Sequence, residues 1–331
     1  MSKRDADKGK KEILFYYESR QNPNGDPGFE NQPRIMPDGT LMVTDVRIKR
    51  TMRDYAKKAW NETLFVDFGE NGNPITADKR AIEIFKKNGR TKITKLDEGE
   101  DNIRSLLKTT FDVPLFGALL TLRPENGDGG GGSAQKLTGP LQFGTGRSIN
   151  KVQIINPQIS TRFVGKVKKK QDLQFSTLGR FYSVEYALIK VHGALNPANL
   201  EKYLDDSEIK AKFTECSNRI FDCLWNGTNE LVTRSKFPQR SIFYLEITYT
   251  DTIYNDLPNL VDENEDLKKT VSTLGISPFN FEKLISALKQ RKDKVKKVRV
   301  YGCAEISSDV KDLVSQINSK VKGGLVEEIA A

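Results

Sequence analysis

Positively charged side chains crowd residues 44–60, and their chemistry is the binding of phosphates. Apolar residues recur there every three or four positions, which predicts a helix with Thr44 or Asp45 as its N-cap. Its apolar stripe comprises Ile48, Met52, Tyr55 and Ala59. Its other face and flanks carry Arg47, Lys49, Arg50, Arg53, Lys57 and Lys58. Each neutralised phosphate releases condensed counterions, so this stripe predicts affinity for nucleic acid without sequence preference.

A second basic segment follows a glycine tract. Residues 129–171 contain eight basic and no acidic side chains, and Arg147 falls in a glycine-flanked turn. An aromatic ring is interleaved with cations further on, at Arg162, Phe163, Lys166 and Lys168. Single-stranded bases stack on aromatic rings and arginine planes while lysines follow the phosphates. We therefore expect a hairpin arm that contacts single-stranded RNA or DNA. A third basic run, 289–299, is interpreted as a solvated helix end entering a strand.

Few residues could support catalysis. The one histidine, His192, ends an apolar strand pattern, so we interpret it as structural. The sequence has no P-loop, no dinucleotide-binding fingerprint and no zinc-protease motif. Asp26 and Asp38 precede Pro or Gly, and turn chemistry explains them better than metal binding does. These observations favour a binding protein that needs no cofactor over an enzyme.

Composition narrows the class further. The 331 residues carry a formal charge of +9, and no window approaches the ~18–20 consecutive apolar residues of a membrane span. The N-terminus lacks the apolar stretch of a secretion signal. Three cysteines without metal-ligand spacing suit a reducing compartment, and Cys216 and Cys223 are expected to be buried thiols on one helix. We expect a cytoplasmic protein with no membrane partner.

The periodicity predicts strands that alternate with helices, interrupted by long insertions. A central strand is expected at 11–17, followed by a turn-rich loop to residue 44. The middle of the chain should hold a short strand or hairpin at 63–68, helices at 77–87 and 101–108, and a mobile glycine-rich loop at 124–134. In the first of these helices we expect Ile82 and Phe85 to be buried. The last third should hold strands at 181–191, 241–250 and 298–300, a helix at 197–225, and a helix capped by Ser277-Pro278.

An ordered set of short motifs resembles the backbone subunit of the CRISPR Cascade complex, most closely its type I-B version. The N-terminal matches are Asn22-Pro23-Asn24-Gly25-Asp26-Pro27, Pro33-Arg34-Ile35 and residues 43–55. Further matches are Pro114-Leu115-Phe116-Gly117, Gly139-Pro140-Leu141-Gln142-Phe143, Arg147-Ser148-Ile149, Leu224-Trp225-Asn226-Gly227-Thr228 and Arg234-Ser235-Lys236 leading into Arg240. The resemblance covers most of the chain and keeps the family's order.

The resemblance implies an α+β fold with three parts. A modified RNA-recognition-motif (ferredoxin-like) palm would occupy 11–60 and 181–310. A helical fingers insertion with the glycine-rich loop would occupy 61–135, and a β-hairpin thumb 136–180. A flexible N-terminus (1–10) and a C-terminal segment (311–331) complete the expected division.

The resemblance also implies a function without catalysis. Several copies would polymerise head to tail along one CRISPR RNA and present it for pairing with a target DNA strand. Expected partners are the large subunit, the guide 5′-end subunit, the guide-processing subunit and a recruited helicase-nuclease. Carried over by position, the RNA contacts would be Lys49, Arg50, Arg53, Gln142, Arg147 and the arm residues 162–170. The alternative is a metal-dependent target-RNA endoribonuclease of the type III backbone kind, which would use Asp26.

Overall fold

A computed structural model describes residues 9–89, 101–121, 134–156, 158–160, 178–268 and 278–328 of the chain. The longer strands are β1 (Lys10–Ser19), β4 (Thr40–Val43), β5 (Gly117–Thr121), β6 (Ala134–Thr138), β7 (Leu141–Phe143), β8 (Gly146–Lys151), β13 (Ala187–Leu195), β14 (Gln239–Tyr249), β17 (Val295–Gly302) and β18 (Val326–Glu328). Short ladders are formed by β2 (Gly25–Asp26), β3 (Gln32–Pro33), β9 (Ile154–Ile155), β10 (Gln158–Ser160), β11 (Leu178–Arg180), β12 (Ser183–Val184), β15 (Asp262–Glu263) and β16 (Phe279–Asn280).

The α-helices are α1 (Asp45–Trp60), α2 (Ala77–Lys87), α3 (Asp101–Thr109), α4 (Val113–Phe116), α5 (Ser207–Asn218), α6 (Ile220–Asn229), α7 (Leu257–Leu260), α8 (Glu282–Gln290) and α9 (Ser307–Lys320). In the described residues, 3-10 helices span Pro197–Tyr203, Glu265–Lys268 and Ala304–Ile306. Mixed α and β content around a main sheet agrees with the expected α+β class.

One eight-stranded sheet organises the described chain. Its order is β18-β17-β14-β1-β13-β8-β4, and β7 pairs with β13 beside β8. Strand β1 is antiparallel to both β13 and β14, while β17 and β18 are parallel. The prediction that β1 is central is confirmed. Its aromatic and β-branched residues suit a strand that is covered on both faces.

The two faces of the sheet support separate apolar cores. Ile13, Phe15 and Tyr17 pack with α1, α2, α5 and α6 on one face. Leu14 and Tyr16 pack with α7, α8 and α9 on the other. Within the described residues, both faces of the sheet are therefore covered by helices.

Several expected elements differ in detail. Residues 63–68 form no strand, because the Asp112 carboxylate accepts the backbone N–H groups of Phe65 and Val66, at 2.8 and 3.0 Å, that a ladder would need. Within α2, Ile84 is buried and Ile82 only partly so. In α1, Ala59 is exposed, whereas Thr51, Met52 and Ala56 are buried.

The last third of the chain also departs from the expected boundaries. The predicted helix at 197–225 is a 3-10 helix followed by α5 and α6, so Cys216 and Cys223 lie on successive helices. Both are buried free thiols, as expected. The expected strand at 181–191 is broken into β12 and β13. Helix α8 begins at Glu282, four residues after Pro278. The loop that was expected to be mobile, at 124–134, lies largely outside the described residues.

Candidate nucleic-acid interface

The N-terminus of α1 is fixed by side-chain hydrogen bonds that the sequence motifs supply. The Thr44 Oγ1 atom accepts the N–H of Arg47 at 3.3 Å and donates to Asn24 Oδ1 at 3.0 Å. The predicted Thr44 cap is therefore confirmed. The loop that holds Asn24 is tied in turn to a distant loop, since the N–H of Asn22 donates to Ser235 O at 2.9 Å. Loops 22–28 and 233–236 thus flank the positive end of the helix dipole.

Lys49 and Gln142, which the sequence could not connect, are in direct contact. The Lys49 ammonium lies 2.9 Å from Gln142 Oε1 and 3.1 Å from Asp45 Oδ2. It also lies 5.8 Å from the centroid of the Phe116 ring. The Gln142 amide donates to Gly139 O at 3.0 Å, which orients its oxygen towards Lys49. Two of the predicted RNA-contacting residues therefore share one surface.

The other flank of the helix end carries a pair of half-buried cations. The Arg47 guanidinium donates to Thr51 Oγ1 at 2.9 Å. Burial lowers the pKa of Arg47, and burial together with the positive charge of Arg47 lowers the pKa of Lys236. The negative charge of Asp54 raises the pKa of Arg47, but Asp54 also forms an ion pair with Arg50. Like charges held together at a helix N-terminus favour the binding of an anion.

Helix geometry places these two flanks on either side of one exposed position. Successive residues turn by about 100°, so Lys49 and Arg47 fall on opposite sides of Val46. The Val46 side chain is 65% exposed. An extended anionic chain that crosses the first turn over Val46 would meet Lys49 first and Arg47 with Lys236 next.

Arg53 is not part of this open surface, and the prediction that it lies on an exposed basic stripe is wrong. Its Nε atom donates to Asp112 Oδ2 at 2.8 Å, its guanidinium lies 4.8 Å from the Phe116 ring centroid, and the residue is 7% exposed. Because Asp112 also binds Phe65 and Val66, this pair connects α1 to the following loop and to α4. Arg53 is packed as a structural ion pair.

Most other predicted cations have acidic partners within the chain. Arg50 pairs with Asp54 at 2.7 Å, and Arg147 pairs with Asp38 at 2.7 Å. Further along the helix, Lys57 bonds Asp67 and Lys58 bonds Glu230. Exposed pairs of this kind contribute only about 0–1 kcal/mol, so a phosphate could replace the carboxylate at little cost. Arg162, Phe163, Lys166 and Lys168 lie outside the described residues.

The two turn aspartates have the local bonds expected of turn residues. Asp26 Oδ1 accepts the N–H of Gly28 at 3.0 Å, and its Oδ2 lies 3.2 Å from Arg34 Nη1. Asp38 Oδ1 accepts both the N–H and the hydroxyl of Thr40. Hydrogen bonds from Thr40 are the main reason that the pKa of Asp38 is lowered. Among the described residues, no three His, Cys, Asp or Glu side chains gather as metal ligands would.

The acid-rich segment 251–266 is used within the chain. Asp251 pairs with Lys294, Asp256 with Arg291, Asp262 with Lys283 and Glu263 with Lys190. The basic run 289–299 supplies two of these partners. This agrees with its interpretation as part of the folded surface of the chain.

Fold and surface together define an α+β protein whose central sheet is covered on both faces and whose helix α1 carries basic side chains near its N-terminus. Residues 9–281 match the family model described as CRISPR-associated protein Cas7, and the chain belongs to that family. A curated relative, "CRISPR-associated protein Cas7" of Haloferax volcanii, is 24% identical over 316 residues, covering 91% of this chain and 89% of the relative.

A solved structure shares the fold at low sequence identity. A chain of a "CRISPR RNA-guided surveillance complex, pre-nicking" superposes with a TM-score of 0.50 and 11% identity, covering 97% of this chain and 96% of that one. A chain of another "CRISPR RNA-guided surveillance complex" gives 0.49 at 10% identity, with coverage of 97% and 95%. Among the described residues, no helix is long and apolar enough to cross a bilayer.

Proposed function

We propose that this chain is a non-catalytic backbone subunit of a type I CRISPR interference complex, of the type I-B kind. Several copies would polymerise along one CRISPR RNA, hold it through its phosphates and present its bases for pairing with target DNA. The observation that carries this proposal is the group of side chains at the capped N-terminus of α1, where the Lys49 ammonium lies 2.9 Å from Gln142 Oε1 and the Arg47 guanidinium donates to Thr51 Oγ1. A guide RNA in the cytoplasm would supply the missing negative charge.

The topology supports an RNA-recognition-motif-like palm. The spatial order β14-β1-β13-β8, antiparallel throughout, with α1 following β1 and α6 preceding β14, is the ferredoxin-like arrangement. We propose the palm at 11–60 and 181–310, with β7 and β8 completing its sheet, the fingers at 61–135, and the thumb in the rest of segment 136–180. The remaining segments, 1–10 and 311–331, are proposed as a flexible N-terminus and a C-terminal extension.

The RNA path is proposed to cross the first turn of α1. Lys49 and Gln142 would meet the strand on one side of Val46, and Arg47 with Lys236 would meet it on the other. Arg50 and Arg147 can exchange their exposed carboxylate partners for phosphates. Arg53 would act indirectly, by holding α1 against Asp112, because breaking a buried pair costs ~3–5 kcal/mol.

Further partners follow from the assembly. We propose contacts with the next copy of the chain, the large subunit, the guide 5′-end subunit, the guide-processing subunit and a recruited helicase-nuclease. The names of the similar solved complexes, which are RNA-guided, support membership in such an assembly.

Filter binding of single-stranded RNA over a range of salt concentrations tests the phosphate contacts. Lys49→Ala with Lys236→Ala should weaken binding equally for unrelated sequences and reduce the salt slope by about 0.7 for each lost phosphate contact. Lys86→Ala with Lys87→Ala on α2 is the matched control. If both double variants behave alike, the assignment of the helix end is wrong.

Target-RNA cleavage through Asp26 is the competing hypothesis. The bonds from Asp26 to Gly28 and Arg34 favour a structural role for this carboxylate. Incubation of the assembled complex with complementary labelled RNA and Mg²⁺ separates the two functions. A scaffold leaves the RNA whole, whereas regularly spaced fragments that disappear in Asp26→Asn would make the chain an enzyme.

A further inference from the structure

Segment 251–261 follows β14 and packs through α7 against β1. Beneath it lies Glu12, a carboxyl group with no exposed surface that bonds to the Asn255 backbone. We propose that a proton on Glu12 keeps this segment closed, and that loss of the proton allows it to open. None of the groups involved belongs to the proposed RNA surface, so the inference goes beyond the proposed function and does not depend on it.

Few contacts hold the segment against the sheet. Leu257 and Val261 are buried in the apolar core of this face. Arg291, at the end of α8, donates from Nη1 to Asp256 Oδ1 at 2.9 Å. Residues 251–256 are otherwise exposed or half-buried. A segment with so little buried surface can open without unfolding the rest of the chain.

Two buried polar atoms that face each other mark the place of the proton. Glu12 Oε1 lies 3.9 Å from His192 Nε2, and neither atom has a hydrogen-bond partner among the described residues. The other carboxyl oxygen accepts the Tyr249 hydroxyl at 3.3 Å. An ionised carboxylate can only accept hydrogen bonds, whereas a protonated carboxyl also donates one. A proton on Oε1 therefore supplies a donor for His192 Nε2 once the two atoms approach by about 1 Å.

The surroundings of Glu12 favour its neutral form. Burial is the main cause that raises its pKa to about 7, and the negative charge of Asp256 adds to the rise. The backbone hydrogen bond from Asn255, the Tyr249 hydroxyl and the charge of Arg291 act in the opposite direction. Burial outweighs them because an ionised carboxylate loses its hydration under the closed segment.

His192 is neutral at the pH where Glu12 loses its proton. Burial is the main cause that lowers the pKa of His192, the charge of Lys190 lowers it further, and Asp256 partly opposes both. Lys190 is paired with Glu263 at 2.7 Å. The imidazole therefore offers an acceptor to the Glu12 proton and no positive charge that would stabilise the carboxylate.

Opening of the segment brings Glu12 into water, where its pKa returns towards the ordinary 4.5. The closed form therefore binds the proton more tightly than the open form does. This advantage is complete below about pH 4.5 and is lost as the pH rises through about 7. Opening separates Arg291 from Asp256 and uncovers Leu257 and Val261. Neutral conditions thus give access to a basic and apolar surface that acidic conditions keep closed.

Hydrogen exchange of the full-length chain, followed by mass spectrometry, tests the inference. Protection of peptides that span 252–261, corrected for the intrinsic pH dependence of exchange, should fall about 30-fold between pH 5 and 8. Glu12→Gln carries a permanently neutral donor, so its protection should change by less than about threefold over this range. Asp262→Asn removes an exposed carboxylate beside the segment, leaves Glu12 in place and should show the wild-type fall.

Each outcome decides the inference. A fall confined to this segment, and to the chains that keep Glu12, supports it. Constant protection in the wild type, or a fall of the same size in Glu12→Gln, overturns it. A parallel fall in peptides of α5 and α6, which pack on the opposite face of the sheet, would mean that the whole fold opens and would also overturn it.

Discussion

Arg53 shows how one side chain can appear to belong to a binding surface and instead hold the fold together. Its guanidinium and the Asp112 carboxylate are both buried, and Asp112 also binds two backbone N–H groups. Removing the arginine leaves the buried Asp112 carboxylate without an opposite charge. A loss of binding in an Arg53 variant would therefore report on folding as well as on RNA.

We predict that Arg53→Ala lowers the free energy of unfolding by about 3–5 kcal/mol. Arg50→Ala, which breaks the exposed pair with Asp54 on the same helix, should cost no more than ~1 kcal/mol. Urea unfolding followed by circular dichroism measures both changes. Similar small losses for the two variants would contradict the structural role of Arg53.

Glu12 gives the fold a predicted pH dependence. It is buried in β1, its Oε2 accepts the Tyr249 hydroxyl at 3.3 Å, and its Oε1 lies 3.9 Å from His192 Nε2. Burial is the main cause that raises the pKa of Glu12 from 4.5 to about 7. The folded state therefore binds this proton more tightly than the unfolded state does. Its stabilising contribution is complete below about pH 4.5 and is lost as the pH rises through about 7.

Glu12→Gln, which mimics the protonated form, tests this dependence. The stability of the wild-type chain relative to Glu12→Gln should fall by on the order of 2 kcal/mol between pH 5 and 8. His192 acts in the opposite sense, since burial lowers its pKa and stability is lost as the pH falls below its ordinary range. Because both chains contain His192, the comparison isolates Glu12. Parallel pH profiles of stability for the two chains would contradict a raised pKa for Glu12.

At the scale of elements, Gly117 and Gly139 allow the start of strand β5 to pack closely against the end of strand β6. Gly117 has a φ of 78°, and a Cβ there would lie 2.1 Å from Leu137 O. Gly139 approaches Gly117 equally closely from the other side. This contact holds Gly139 where its carbonyl orients Gln142. A packing requirement thus extends to the proposed RNA surface.

Gly117→Ala should be much more destabilising than Gly72→Ala. Both glycines have a positive φ, but a Cβ at Gly72 meets nothing within 4 Å. Gly72→Ala therefore measures backbone strain alone, about 1–3 kcal/mol, whereas Gly117→Ala adds a steric overlap with the backbone. Thermal unfolding of the two variants compares them. An equal loss of stability in both would show that the close approach is not real.

Local signals were sufficient to predict the elements, and tertiary contacts account for the errors. The Thr44 cap, the period of α1 and the aromatic run of β1 depend on neighbours in sequence, and all three are confirmed. The expected strand at 63–68 is wrong because Asp112, more than 40 positions away, binds its amides. The contact between Lys49 and Gln142 has no signal in periodicity, because it depends on a helix and a strand that meet only in the fold.

At the scale of the molecule, the placement of charge is compatible with the proposed repeated assembly on RNA. Acids of segment 251–266 neutralise cations on the far face of the sheet, and exposed pairs neutralise much of α1. In the described part of the chain, Arg47 and Lys49 lie at the N-terminal end of α1. Each copy would therefore hold a short stretch of RNA at one place, and the next copy would continue along the strand.

Native mass spectrometry of the chain purified after co-expression with a CRISPR array is the most direct test of this account. We predict species that contain one RNA and several protein copies, with the copy number rising in proportion to guide length. They should dissociate as salt increases, because phosphate contacts are screened. An RNA-free monomer at low ionic strength, or one copy per RNA whatever its length, would contradict the role of a guide-RNA backbone subunit.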